Sequence, residues 1–121
     1  MTDLALAALS NTAYKRVVAT TASTQATVMR LTAGQAIGAE VHAGYDQLVC
    51  VVDGSGVVSV GAANTSVGPG SVVLVPGGAR HDVQNTSPHM DLRLVVLYMP
   101  PKYAHDANFA TAADARAAPD V

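Results

Sequence analysis

Four side chains in the middle of this chain have types and spacings suited to holding a divalent metal: Glu40, His42, Gln47 and His81. Residues two apart on an extended strand project to the same face, so Glu40 and His42 share one face. His81, Val83 and Asn85 alternate in the same way on a later strand. Two imidazoles, one carboxylate and one amide oxygen suit a borderline first-row ion, with iron(II), manganese, nickel and zinc all open. Glu40 is the only glutamate in the chain, and a carboxylate inside a narrow barrel is costly to bury unless it is paired or metal-bound. Read in isolation, each residue also has an ordinary alternative. Glu40 can face solvent at a strand end, the histidines can be hydrogen-bonded in a core or at the surface, and Gln47 can hydrogen-bond a water or ligand instead of coordinating. Asp46 neighbours Gln47, faces the opposite way and reads as a surface residue. Arg30, Tyr45, Arg93 and Tyr98 are candidates for contacts with a polar or anionic ligand, whereas His89 and His105 read as solvated.

The elements that must position these residues read as β-structure. Strand-like runs cover residues 14–20, 26–31, 36–41, 47–52, 56–61, 71–76, 79–85 and 91–98. Turn residues at Asp53-Gly54-Ser55-Gly56, Gly68-Pro69-Gly70 and Pro76-Gly77-Gly78 separate them, a spacing that points to a sandwich or barrel. Residues 3–9 predict a short N-terminal helix capped by Thr2 or Asp3. After Pro100-Pro101 the strand pattern stops, and residues 111–118 have helix-forming composition without an apolar stripe. The expectation is one domain over 1–121, with a barrel at about 14–100 and an irregular or helical tail at 101–121.

Composition narrows the function classes. A chain of 121 residues affords one core. Half of it is hydrophobic, without tryptophan and with Phe109 as its single phenylalanine, so that core is aliphatic. The net charge of -2 comes from scattered residues, and no Lys/Arg cluster offers the phosphate neutralisation that nucleic acid requires. Cys50 is the only cysteine; it excludes an internal disulfide and, within Leu48 to Val52, reads as a buried small hydrophobe. The opening Met1 to Ser10 is acidic and its apolar run is short, unlike a signal peptide, so a cytoplasmic location is expected. No apolar run has the length of a membrane span.

Two glycine-framed segments belong together, Gly34 to Gly54 and Gly70 to Asn85. The first resembles the first motif of the cupin family, which runs Gly, five residues, His-x-His, three or four residues, Glu, six residues, Gly. Here the landmarks are Gly34, Glu40-x-His42, Gln47 and Gly54. The second segment resembles the second cupin motif, with Gly70, Pro76, Gly78, His81 and Asn85 in place. Glu40 stands where the first histidine is usual and Gln47 where the glutamate is usual. The chain is also similar to small cupins labelled mannose-6-phosphate isomerase-like, through Glu40-Val41-His42, Asp46-Gln47 and Tyr98 to Pro101. The resemblance implies an all-β double-stranded β-helix, or jelly-roll barrel, binding one divalent metal through Glu40, His42, Gln47 and His81. It implies either a metal-dependent enzyme acting on a small polar metabolite by isomerase- or dioxygenase-type chemistry, or a non-catalytic module that binds or senses a sugar-like ligand through a degenerate site. It also implies a homodimer, since a β-rich monomer leaves sheet edges exposed.

Overall fold

The Val-rich runs form strands because branched side chains pack well on a pleated surface and alternate between a core face and an outer face. The computed structural model describes residues 3–118. Helix α1 (Leu4–Ser10) precedes strands β1 (Lys15–Thr20), β2 (Gln25–Leu31), β3 (Glu40–Val41), β4 (Asp46–Asp53) and β5 (Gly56–Val60). Strands β6 (Ala63–Val67), β7 (Val72–Val75), β8 (Arg80–Asn85), β9 (Leu92–Met99) and β10 (Asn108–Phe109) follow, and helix α2 (Ala112–Ala117) comes last. A six-stranded antiparallel sheet in the order β10-β1-β2-β9-β4-β7 faces a four-stranded one in the order β3-β8-β5-β6. This is the expected jelly-roll architecture.

Inward residues of both sheets, among them Met29, Leu31, Val49, Val58, Val83 and Leu94, fill the buried core. A second, smaller cluster lies on the outer face of the six-stranded sheet, where Ala8 of α1 covers Val28 and Val95. That helix explains why β2 is buried on both faces. Asp3 caps α1, accepting the Leu6 amide at 3.0 Å, while Thr2 lies outside the described residues. Cys50 packs against this outer cluster and is half-buried, where a buried small hydrophobe was expected. Its neighbours Val49 and Val51 take the core-facing positions.

Three elements differ from the sequence expectation. Strand β6 pairs only with β5, and four of its five residues are exposed, so no apolar alternation marks it. The run 36–41 narrows to Glu40–Val41, because Gly38 takes a φ of 95° that breaks the extended conformation. Beyond Pro101 the strand pattern resumes at β10, paired with β1 through Lys15↔Phe109 and Arg16↔Asn108. Tyr103 joins the main core and Phe109 packs against it. The tail is helical at α2, capped by Thr111, whose side chain accepts the Asp114 amide at 3.2 Å; residues 119–121 lie outside the description.

The motif landmarks hold the backbone. A Cβ on Gly54, whose φ is +86°, would meet the Asp91 carbonyl oxygen at 2.3 Å, so only glycine fits there. The Asn85 amide nitrogen reaches the carbonyls of Leu31, Thr32 and Met90 at 3.0, 3.0 and 2.8 Å, and its oxygen accepts the Ser87 amide at 3.0 Å. One buried side chain thereby satisfies backbone groups of two loops.

Candidate metal centre

Strand register brings the site together. β3 pairs with β8 so that Glu40 is the direct cross-strand partner of His81. His42 follows two residues after Glu40, and its carbonyl accepts the Gly78 amide at 2.7 Å, which ties the end of β3 to the turn before β8. Gln47 comes from the opposite sheet, between Val75 of β7 and Tyr98 of β9. The Glu40 carboxylate, the His42 imidazole and the His81 imidazole each present a donor atom within 4.8 Å of the others. Donors about 2.0–2.2 Å from a common ion lie at most about 4.4 Å apart, so modest side-chain adjustment brings these three onto one centre.

The protonation pattern suits metal binding. His81 Nδ1 lies 3.0 Å from the Ala79 carbonyl oxygen. A carbonyl can only accept, so the proton sits on Nδ1 and the Nε2 lone pair faces inward. Gln47 Nε2 lies 3.1 Å from that His81 Nε2 and donates to it. Both residues are nearly buried, at 6% and 5% exposure. His42 Nε2 contacts Glu40 Oε2. Desolvation lowers the His42 pKa, and its hydrogen bond to Glu40 opposes that shift in part. The His42 ring stacks on Tyr45 with centroids 5.0 Å apart and stands 5.4 Å from the His81 ring.

Beside the triad lies a cavity of about 370 Å³. Glu40 and His42 reach its wall, with Tyr14 and Lys15 from the β1 side, Lys102 and Tyr103 from the segment after β9, and α2 across one side. Lys15 is 5% exposed; its Nζ donates to the Tyr98 and Tyr103 hydroxyls at 2.5 and 3.0 Å. Burial lowers the Lys15 pKa to about 7, with Glu40 opposing the shift and Lys102 adding to it. Burial likewise pushes Tyr14 up to about 12, with Glu40 adding to the rise, and holds Tyr98 well above its ordinary value.

The structure sorts the remaining candidates. Tyr45 stacks on His42, and Tyr98 sits behind the cavity in edge-to-face contact with Tyr45 and Tyr103. Asp46 is exposed and accepts the Gly77 amide at 2.7 Å. The candidacy of Arg30 and Arg93 for ligand contacts is corrected. Arg30 pairs with Asp91 at 2.9 Å on the outer face, and Arg93 donates to the Ala8 and Asn11 carbonyls at the end of α1. Their strand parity places them opposite Leu31 and Leu94, which face the core. Lys15, Tyr14, Lys102, Tyr103 and Arg116 were not among the residues singled out from the sequence. Lys15 had a visible signal, since it shares the parity of core-facing Val17 on β1. Lys102, Tyr103 and Arg116 depend on how the tail folds back.

Comparison with known proteins agrees with this architecture. Residues 27–98 match the family described as the cupin domain. The chain is 35% identical over 102 residues to YrkC of Bacillus subtilis strain 168, an alignment covering 79% of this chain and 54% of YrkC. It thus spans about half the length of that relative. The crystal structure of BH2720 from Bacillus halodurans is similar at a TM-score of 0.93 and 31% identity, covering 98% of this chain and 93% of that one. TT1209 from Thermus thermophilus is similar at a TM-score of 0.73 and 29% identity, covering 83% and 96%. The matched segment takes in both glycine-framed motifs and more than half of the sequence: the chain belongs to the cupin-domain family.

Proposed function

We propose that this cupin is a metal-dependent enzyme acting on one small polar metabolite, with isomerase- or dioxygenase-type chemistry at a site held by Glu40, His42 and His81 and completed by Gln47. The convergence of one carboxylate and two imidazoles beside a cavity of about 370 Å³ carries this reading. That volume lies at the small end of ligand pockets. A divalent first-row ion bound there supplies Lewis acidity toward a substrate oxygen, or redox chemistry. The chain's own residues do the rest. The Ala79 carbonyl fixes the tautomer of His81, and Tyr45 fixes the plane of His42. Gln47 holds its amide beside His81 Nε2, and Tyr103 with residues of α2 lines the cavity.

Elemental analysis of dialysed protein, with calorimetric titration of the metal, tests the reading. His42→Ala and His81→Ala should each abolish tight binding, because a neutral imidazole is a strong ligand for these ions. Gln47→Ala should weaken binding least and Glu40→Gln by an intermediate amount, since the latter keeps the shape and removes the triad's only carboxylate. Unchanged metal content and affinity in both histidine variants would refute the site. The neutral amide of Gln47 beside His81 supports a second reading, a non-catalytic module for a sugar-like ligand. Protein that carries no metal after loading yet binds such a ligand would favour it.

A further inference from the structure

We infer that Lys15 is a nucleophilic amine that captures a small aldehyde or ketone as an imine on the wall of the cavity beside the triad. The starting observation is where the lysines lie. The chain has two, Lys15 and Lys102, against five arginines, and both line this cavity. An arginine keeps its proton under all ordinary conditions, whereas a lysine amine that loses its proton in a buried site becomes a nucleophile. Lys102 is half-buried, with its Nζ over the Tyr45 and Tyr103 rings at 5.3 and 5.1 Å from their centroids. Lys15 is the deeper of the two, at 5% exposure, and reaches the cavity from β1.

The surroundings of Lys15 suit a neutral amine. Its Nζ donates to the Tyr98 and Tyr103 hydroxyls at 2.5 and 3.0 Å, and these are its hydrogen-bond partners among the described residues. A neutral amine has two N–H groups and one lone pair, so two accepting hydroxyls use both donors and leave the lone pair for a ligand. A buried ammonium in the same place would lack a carboxylate to offset its desolvation. Burial accordingly lowers the Lys15 pKa to about 7, with Glu40 opposing the shift and Lys102 adding to it. Most of the amine is therefore unprotonated at pH 8. Desolvation beside a second cationic group is one way in which a lysine is activated toward carbonyl compounds. In the step itself, the Nζ lone pair bonds to the carbonyl carbon while the π pair moves to oxygen. A proton given up by nitrogen passes to that oxygen through the adjoining hydroxyls, forming a carbinolamine. The nitrogen pair then forms the C=N bond, the C–O bond breaks, and the oxygen leaves as water with the two hydrogens of the amine. No oxidant or reductant is required, and the cavity of about 370 Å³ restricts the partner to a small molecule.

This inference goes beyond the metal-dependent reading, because the imine forms with or without a bound ion. The test treats the full chain, metal-stripped and metal-loaded, at pH 8 with acetaldehyde or acetone in the presence of cyanoborohydride, which reduces an imine to a stable secondary amine. Peptide mass spectrometry then reads the label on Lys15 and Lys102 separately, since these are the only lysines. Lys15 should be labelled about tenfold or more faster in the folded protein than in the urea-unfolded chain, where its amine returns to an ordinary pKa and is mostly protonated. A buried amine that were merely structural would show the reverse, because unfolding exposes it. The same acceleration should appear in both metal states, and Lys15→Met should abolish the Lys15 adduct and leave the labelling of Lys102 as it was. The probe with the larger folded-to-unfolded ratio identifies the carbonyl class as aldehyde or ketone. Labelling of Lys15 that is equal or slower in the folded protein with both probes would overturn the inference, as would labelling that requires bound metal. Neither result touches the metal site, whereas unchanged metal binding in the histidine variants would refute the proposed function and leave the reactive amine standing.

Discussion

Replacing Lys15 by methionine should stabilise the metal-free fold at mildly acidic pH and lose that advantage as pH rises. The amine is 5% exposed, and burial takes its pKa from 10.5 to about 7. At pH 6 the folded protein carries a protonated amine whose cost, set by the difference between the two pKa values, is about 5 kcal/mol. Its two hydrogen bonds to Tyr98 and Tyr103 return about 1 kcal/mol each, so methionine of similar length should win there. Between pH 7 and 10.5 the unfolded amine holds a proton that the folded one has released. Unfolding then takes up a proton, and the stability of the wild type rises with pH across that window. From pH 6 to 9 the stability difference between the two proteins should shift by about 2.7 kcal/mol in favour of the wild type. Urea unfolding at pH 6, 7, 8 and 9 measures it, because other titrating groups cancel in the difference. A difference independent of pH, or one moving in the opposite direction, would refute the assignment of a desolvated amine to Lys15.

Asn85→Ala orphans three backbone carbonyls and one amide and should cost about 2–4 kcal/mol in chemical denaturation; a loss under about 1 kcal/mol would show those contacts to be dispensable. Arg93→Ala removes the donors that cap α1 at the Ala8 and Asn11 carbonyls. It should cost about 1–2 kcal/mol and speed amide exchange in α1 specifically, whereas uniform acceleration would contradict a local role. Burial raises the Cys50 thiol pKa, so its modification by a thiol reagent at pH 8 should be several-fold slower than in the urea-unfolded chain, and equal rates would refute its place beneath α1. Val72 and Leu74 are 59% and 60% exposed on edge strand β7. We expect a homodimer in sedimentation at micromolar concentration, and a monomer there would count against it.

What could be read from the sequence was whatever burial imposes on alternation. Strands β4 and β8 bury every second residue because one face of each meets the core, and the i, i+2 parity of an extended strand put Glu40 with His42 and His81 with Val83 before any fold was known. Strand β6 escaped because Ala63, Asn64, Thr65 and Ser66 are all exposed and pair only with β5. β10 escaped because two residues carry no periodicity. The cavity was legible only in part. Parity marks Lys15 as inward, but Lys102, Tyr103 and Arg116 reach the site through a tail whose path depends on tertiary contacts. Gln25 makes one of these, accepting the Lys102 and Tyr103 amides at 3.1 and 2.9 Å. Arg30 and Arg93 read as ligand candidates for their charge, and their parity against core-facing Leu31 and Leu94, with the partnerships to Asp91 and the end of α1, assigns them to the outer face.

The departures from the family motif fall where the backbone makes no demand. Gly54 admits no Cβ because the Asp91 carbonyl lies too close, and Gly78 takes a φ of +85° while its amide holds the His42 carbonyl. Asn85 alone closes the carbonyls of Leu31, Thr32 and Met90. Any substitution at these three positions disturbs strand ends that set the register, and a register slip of one residue would turn Glu40 and His81 away from each other. Positions 40 and 47 are different. Glu40 meets His42 and Gln47 meets His81, side chain to side chain. The frame can therefore keep its glycines, proline and asparagine while the donor set changes. His81 has a second tie that needs an imidazole, an Nδ1 proton given to the Ala79 carbonyl. With a single carboxylate and a neutral amide, the donor set supplies less negative charge than it would with a second carboxylate at position 47.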